Sequence, residues 1–328
     1  MTARMNNHPL GQRPYSAQLA RTWWRLGWVT LSMALTFIAA SGFAQEGNST
    51  TTTAAENSHE VQVVKDVSYY DRPDRDQAGY QTLDLYVPKG AAKAPVLIFV
   101  HGGGWTHKEN DPYTRGRLGP HNPFFASHGV VVASISYRLS PEHQHPAHVE
   151  DVARAIAWVK ANVVQYGGDP DQIFLIGHSA GGHLVTLVVA DPKYLLVHHL
   201  SASDVRGVMP ISAPFTVGKN GDRIDTIWGS QAAADDASPI NHVRVGLPAF
   251  LIFAGDQGSM EEDRTEQAKG FVDLLHEKGV EAAFVQARDR DHSTIVTKLG
   301  TAGDAVAERM LQFIRDHRTL ERPPPAPR

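Results

Sequence analysis

With 328 residues, of which 42% are hydrophobic, the chain is long enough to bury a large core. Its formal net charge of -4 gives no indication of nucleic acid or of an anionic membrane surface as a partner. Because it contains no cysteine, disulfides, thiol catalysis and Cys-ligated zinc are excluded.

The first 44 residues have the three parts of a secretory signal peptide. Residues 1–25 carry four arginines and no acid, residues 26–40 are mostly apolar, and small residues stand at Gly42 and Ala44. The apolar stretch is also near the lower length limit for a membrane span, so an N-terminal anchor is the alternative. We expect cleavage near Gln45, export to the periplasm or the medium, and no stable membrane insertion once the signal is removed.

The remaining chain divides by composition into three segments. Residues 45–58 are rich in Ser, Thr, Ala and Asn and predict a flexible lead-in. The prolines of residues 321–328 are incompatible with a helix or a central strand and indicate a tail. Residues 59–320 are therefore predicted to form one globular domain.

Within this domain the hydrophobic pattern predicts strands that alternate with helices. Residues 61–69 and 82–87 alternate polar and apolar side chains, as half-exposed antiparallel strands do. Further strands are predicted at 95–100, 130–135, 172–176, 205–211, 249–254 and 282–286. Helices are predicted at 146–166, 184–190, 261–278 and 302–317. This order implies a mainly parallel sheet, with functional residues in loops at the carboxyl ends of the strands.

The most informative of these loops is Gly177-His178-Ser179-Ala180-Gly181, which lies between a strand and a helix. A serine at so sharp a turn is forced into a strained backbone conformation, and its hydroxyl stands clear of the sheet. The glycines on either side allow the strand and the helix to approach each other. The pattern G-x-S-x-G in this context indicates a nucleophile elbow.

A second loop, His101-Gly102-Gly103-Gly104-Trp105, follows the strand at 95–100. Its glycines let backbone N–H groups approach a ligand, and the N–H group of Ala180 at the start of the elbow helix points the same way. Such N–H groups stabilise the oxyanion that forms when a serine attacks a carbonyl.

The chain order serine, acid, histidine then selects Asp256 and His292 as partners of Ser179. Asp256 comes directly after a strand, and His292 lies in a loop after the last strand. Beyond Asp256 the remaining histidines, His276 and His317, fall near the ends of predicted helices. Asp289 and Asp291 are alternative acids, but a side chain adjacent to His292 in an extended loop points away from it.

These motifs, with Tyr137-Arg-Leu-Ser-Pro-Glu142, resemble the hormone-sensitive-lipase-like and kynurenine-formamidase-like branches of the α/β-hydrolases from about residue 84 to 313. The resemblance implies an α/β-hydrolase fold with a minimal cap and a secreted esterase of the group that includes bacterial feruloyl and acetyl esterases. It further implies Gly103, Gly104 and Ala180 as oxyanion-hole donors, with His101 bracing their loop. Ser140 departs from the alanine usual in the lipase-like branch.

The predicted activity is therefore hydrolysis of carboxylic esters by Ser179, Asp256 and His292, without a cofactor. Residues 211–247 are polar and turn-rich, which favours short or compact aryl acyl groups over long chains. An arylformamidase or amidase on the same triad is the first alternative, and a non-catalytic binding protein is the second. Trp105 is a candidate for the wall of the substrate pocket, although packing would explain it as well.

No metal site is predicted. The sequence contains three closely spaced histidines, His143, His145 and His148, and the pair His198 and His199, but no Asp/Glu-His pattern on a helix accompanies them. The glycine runs lack a nucleotide-binding pattern. The expected partner is a small ester, and the pattern leaves the oligomeric state open.

Overall fold

The computed structural model describes residues 58–70, 80–106 and 119–318. The predicted signal peptide, the Pro-rich tail and all of the lead-in except Ser58 lie outside these residues. The described strands are β1 Val61–Ser68, β2 Thr82–Pro88, β3 Ala94–Val100, β4 Val131–Ile135, β5 Gly168–His178, β6 Val205–Ile211, β7 Ala249–Gly255 and β8 Ala282–Ala287.

The described helices lie between and after these strands. They are α1 His121–Ser127, α2 Ala147–Asn162, α3 Ala180–Ala190, α4 Pro192–Leu196, a π-helix Ile224–Trp228, α5 Gln231–Asp236, α6 Ser259–Glu277, α7 Thr294–Thr297 and α8 Ala305–Asp316. None of the helices in the described part of the chain is both long and apolar enough to cross a membrane.

All eight described strands belong to one sheet, in the order β1-β2-β4-β3-β5-β6-β7-β8. The pairs β1–β2 and β2–β4 are antiparallel, and every later pair is parallel. The predicted fold class is confirmed: antiparallel strands at the N-terminal end of a mainly parallel sheet that helices flank. The carboxyl ends of β5, β7 and β8 therefore lie along one edge of the sheet.

The core lies on both faces of this sheet. Along β3, Val96 and Ile98 belong to one buried cluster, and Leu97 and Phe99 belong to the other. Because successive side chains of a strand point to opposite faces, these are the two sides of the sheet. Helices α2, α3 and α6 contribute to the first cluster, and α1, α7 and α8 contribute to the second. Burial on both faces of the sheet explains why the sequences of these strands are continuous apolar runs.

Local chemistry explains where the helices differ from their predicted bounds. The last helix begins at residue 305 rather than 302 because the side chain of Asp304 accepts hydrogen bonds from the N–H groups of Val306 and Ala307. The predicted helix 146–166 ends as α2 at Asn162, and a 3₁₀ turn then leads to Gly167 in the left-handed region. The sequence predicts none of the short helices α1, α4, α5 and α7, because so few residues carry no clear period.

Candidate active site

Ser179 has the strained backbone expected of a nucleophile elbow, with φ 52° and ψ -115°. It follows the last residue of β5 and precedes the first residue of α3. A Cβ atom added to Gly177 would lie 2.3 Å from the carbonyl oxygen of Gly181, and one added to Gly181 would lie 2.1 Å from that of Val100. Neither glycine can therefore carry a side chain while strand and helix keep this spacing.

His292 lies beside Ser179, in the loop between β8 and α7. Its Nε2 atom is 2.9 Å from Ser179 Oγ, and its Nδ1 atom is 2.7 Å from Glu261 Oε1. The imidazole thus joins a hydroxyl on one side to a carboxylate on the other. This is the geometry in which a histidine can take a proton from a serine while the carboxylate holds its tautomer.

The carboxylate that contacts His292 is Glu261, and the prediction that Asp256 does so is wrong. Asp256 is exposed, and its Oδ1 atom accepts a hydrogen bond from Arg290 N at 3.3 Å. After β7 ends, the chain turns through residues 256–258 and carries Asp256 away from the imidazole. The first turn of α6 then places the Glu261 carboxylate against the imidazole of His292. Acidic residues are common in the first turn of a helix because they interact favourably with the helix dipole. The position of Glu261 in the sequence therefore does not indicate a catalytic role.

Glu261 is held by more than the imidazole. It is only 1% exposed, and its Oε2 atom accepts hydrogen bonds from Ser212 Oγ at 2.7 Å and from the backbone N–H of Gly255. Burial favours the neutral carboxyl, but the hydrogen bonds from His292, Ser212 and Gly255 outweigh it and lower the pKa of Glu261. The group is therefore a carboxylate at neutral pH and can accept a hydrogen bond from Nδ1–H of His292.

The residue before the serine, His178, ties the elbow to the histidine loop. Its Nε2 atom lies 2.8 Å from the carbonyl oxygen of His292, to which it donates, and the two rings are 4.8 Å apart. Burial lowers the pKa of His178 to about 3, so its ring is neutral. No role for His178 follows from the sequence, because the second position of the elbow motif accepts any side chain.

The glycine loop lies against the elbow. Gly103 and Gly104 have φ of 107° and 66°, and both line the same cavity as Ser179. His101 stacks on Tyr137 with ring centroids 4.5 Å apart, and the Tyr137 hydroxyl donates to the His101 carbonyl oxygen at 3.0 Å. The ring stacking and this hydrogen bond thus anchor the glycine loop to Tyr137.

The cavity over Ser179 and His292 has a volume of about 480 Å³. Trp105 and Trp228 form part of its wall, with their rings 5.1 Å apart, and Trp105 Nε1 donates to His183 Nδ1 at 3.3 Å. Residues between β6 and β7 form much of the remaining wall: Pro214, Thr216, Val217, Gly218, Lys219, Asp222 and Arg223. The first turns of α6 add Met260, Asp263, Arg264 and Gln267.

Solved structures share this arrangement of sheet and helices. Esterase B of Lactobacillus rhamnosis superposes with a TM-score of 0.66 at 23% identity, over 80% of this chain and 88% of that one. An esterase of Pyrobaculum calidifontis superposes with a TM-score of 0.61 at 22% identity, over 80% and 87% of the two chains. The chain has the α/β-hydrolase fold.

Sequence comparison relates this chain to proteins named as esterases or ester hydrolases. The BD-FAE family model matches residues 83–195. In Mycobacterium tuberculosis, the probable carboxylic ester hydrolase LipM is 32% identical over 201 residues, which are 56% of this chain and 45% of that protein. Esterase LipC of the same organism is 34% identical over 215 residues, or 60% and 52% of the two chains. This chain thus spans about half the length of these curated relatives.

The histidines for which the sequence predicts no metal site lie elsewhere in the fold. His148 Nε2 is 3.0 Å from Ser140 Oγ, and burial lowers the pKa of His148 to about 3. In the described part of the chain, the side chains close enough to share an ion are Asp191, Asp236 and His242. The Lys193 ammonium lies 2.8 Å and 2.6 Å from the two carboxylates, so a cation of the chain itself already balances them.

Proposed function

We propose that this chain is a serine hydrolase that cleaves carboxylic esters through an acyl-enzyme intermediate. One observation carries the proposal: a single imidazole, that of His292, joins the hydroxyl of a strained serine to a buried carboxylate. Such an arrangement activates a serine that is unreactive at its own pKa. The names of the matched relatives, an ester hydrolase and an esterase, support the same reaction class.

In the first half of the reaction, Ser179 Oγ attacks the ester carbonyl carbon while its proton moves to His292 Nε2. The carbonyl oxygen becomes an oxyanion, and the N–H groups of Gly103, Gly104 and Ala180 stabilise it. The C–O bond to the alcohol then breaks, and the leaving oxygen takes the proton from Nε2. The acyl group remains on Ser179.

In the second half, water attacks the acyl-enzyme and gives one proton to His292 Nε2. Collapse of the new oxyanion releases the acid and returns the proton to Ser179 Oγ. Throughout, Glu261 accepts a hydrogen bond from Nδ1, holds the reactive tautomer and stabilises the imidazolium without itself being protonated. We therefore assign the role of the triad acid to Glu261 and not to Asp256.

The substrate is proposed to be an ester of a short or compact aryl acyl group. Polar and glycine residues dominate the wall between β6 and β7, and Trp105 and Trp228 are the tryptophans that line the cavity among the described residues. Such a wall offers an aryl ring a flat contact but gives a long alkyl chain little to pack against. Formamides and simple amides would be attacked by the same serine, so the substrate panel must include them.

The experiment that tests the function is covalent labelling with a fluorophosphonate probe, followed by intact mass and peptide mapping. We expect one adduct, on Ser179, and none in Ser179→Ala. Ser293→Ala is the matched control and should label like the wild type. A wild-type chain that resists the probe and hydrolyses no ester, formamide or amide of the panel would refute the proposal in favour of a binding protein.

Export is proposed on the strength of the first 44 residues alone. The intact mass of the protein secreted by a bacterial host would then correspond to a chain that starts near Gln45. Recovery of the uncleaved chain from membranes would support the N-terminal anchor instead.

A further inference from the structure

Arg264 is a partly paired cation in the wall of the cavity over Ser179. It lies in the first turns of α6, and its side chain is 19% exposed. Nη1 donates to Asp263 Oδ2 at 2.5 Å. Nε is buried and donates to no group of the described residues, and Nη2 makes no hydrogen bond there either. The edge of the guanidinium that carries Nε and Nη2 therefore lacks an acceptor.

Another buried arginine shows how the protein satisfies this edge elsewhere. Arg138 donates from Nε to Asp151 Oδ2 at 2.9 Å and from Nη2 to Asp151 Oδ1 at 3.0 Å. This is the two-pronged pairing that makes arginine a strong carboxylate ligand. Among the described residues no carboxylate has the same relation to Arg264.

The electrostatic environment of Arg264 agrees with the lack of an acceptor for its Nε and Nη2 atoms among the described residues. Burial lowers the pKa of its guanidinium, and the nearby Asp263 and Glu261 do not fully offset that effect. Glu261 is already committed to His292, Ser212 and Gly255. Leaving a buried donor without an acceptor costs free energy, and a ligand that supplies the acceptor recovers it.

Among the described residues, the charges of the cavity wall leave an excess of one positive charge. Lys219, Arg223 and Arg264 face two acids, Asp222 and Asp263. Asp222 lies 3.8 Å from Arg223 Nε, and Asp263 is bound to Arg264. Lys219 is exposed and has no ion pair within the described residues. An anionic group that enters the cavity therefore meets one cation, Lys219, whose charge no acid of the described residues balances, and the free donors of Arg264.

We propose that the cavity selects esters that carry a carboxylate in addition to the scissile bond, and that Arg264 contacts this carboxylate. Because Nε lies below the surface, the guanidinium must turn slightly for both prongs to engage. The inference rests on the proposed ester hydrolysis and names the substrate class: half-esters of dicarboxylic acids, or esters of hydroxy acids. Lys219 adds a longer-range attraction at the cavity entrance.

Two matched pairs of substrates test the proposal. Monomethyl adipate and methyl adipamate differ in the charge of the acyl side, and 3-acetoxypropanoate and 3-acetoxypropanamide differ in the charge of the alcohol side. We expect kcat/KM to favour the carboxylate in at least one pair by about tenfold or more, as one charge-assisted hydrogen bond to a buried group would give. Arg264→Gln should reduce that ratio to about one.

Lys269→Gln is the control for net charge, because it removes a cation from the exposed face of the same helix, outside the cavity. This variant should keep the wild-type ratio. High salt should lower the ratio only in part, since the Arg264 side chain is mostly buried. If neutral esters are hydrolysed and neither pair favours the carboxylate, or if Arg264→Gln keeps the preference, the inference is wrong while the proposed function stands. If no ester is hydrolysed, the proposed function itself fails.

Discussion

Glu261 Oε1 lies 2.7 Å from His292 Nδ1, although another acid, Asp256, stands closer to the end of β7. The difference arises in the turn between β7 and α6, which directs Asp256 toward Arg290 N and returns Glu261 from the first helical turn. The two acids also differ in burial, because Glu261 is 1% exposed and Asp256 is exposed to solvent. A carboxylate that orients an imidazole gains from such burial, since its hydrogen bonds are stronger away from water.

The first prediction therefore concerns Glu261→Gln. The amide keeps the size of the side chain but lacks the negative charge that holds the reactive tautomer and stabilises the imidazolium, so we expect kcat to fall by roughly 10⁴. Asp256→Asn and Asp291→Asn are the matched controls and should stay within about threefold of the wild type, since neither acid contacts His292. Steady-state kinetics on a short-chain ester checks this. A severe Asp256→Asn together with a mild Glu261→Gln would return the role to Asp256.

The second prediction concerns acid stability. The folded-state pKa of Glu261 is lowered from its ordinary 4.5. The folded chain therefore binds a proton at this carboxylate less readily than the unfolded chain does. The stabilisation is present above pH 4.5 and is lost as the pH falls through the lower folded-state value. In Glu261→Gln this loss is absent, so its free energy of unfolding should fall less steeply below pH 4.5. Urea unfolding at a series of pH values measures both slopes, and parallel slopes would contradict the hydrogen-bonding scheme.

The third prediction concerns acyl length. Each further methylene contributes about 0.8 kcal/mol only where an apolar wall receives it. Among the described residues, polar side chains and glycines make up most of the cavity lining. In a p-nitrophenyl ester series, kcat/KM should peak between acetyl and hexanoyl and fall by dodecanoyl. Trp228→Leu should move the peak to longer chains. Trp158→Leu, on α2 outside the cavity, is the control and should leave it unchanged. A maximum at twelve carbons or more would overturn this.

The fourth prediction compares two helical glycines. A Cβ atom at Gly181 would overlap the carbonyl oxygen of Val100 at 2.1 Å, whereas one at Gly270 would meet nothing within 4 Å. We expect Gly181→Ala to lower the free energy of unfolding by about 3 kcal/mol or more, through backbone overlap in a packed core. Gly270→Ala should raise it by about 0.5–1 kcal/mol, since alanine restricts the unfolded chain. Urea denaturation of both variants decides this, and equal stabilities would show that strand and helix can separate at the elbow.

The sequence alone determined the sheet, the elbow and the histidine loop. Continuous apolar runs mark strands that are buried on both faces, and the alternating runs before them mark the antiparallel edge. Ser179 and His292 could be found because each lies in the loop that follows a strand, and parallel strands bring their carboxyl ends to one edge of the sheet. Such signals are local: a few neighbouring residues define them, whatever the rest of the chain does.

Only the tertiary structure decided which carboxylate meets the imidazole and which side chains line the cavity. The choice between Asp256 and Glu261 depends on the path of a turn, and one residue more or less before α6 would rotate its first side chains by about 100°. Arg264 and His178 likewise gain their surroundings from segments far away in the chain. Sequence spacing carries no record of these distances, because they arise from how separately formed elements pack against one another.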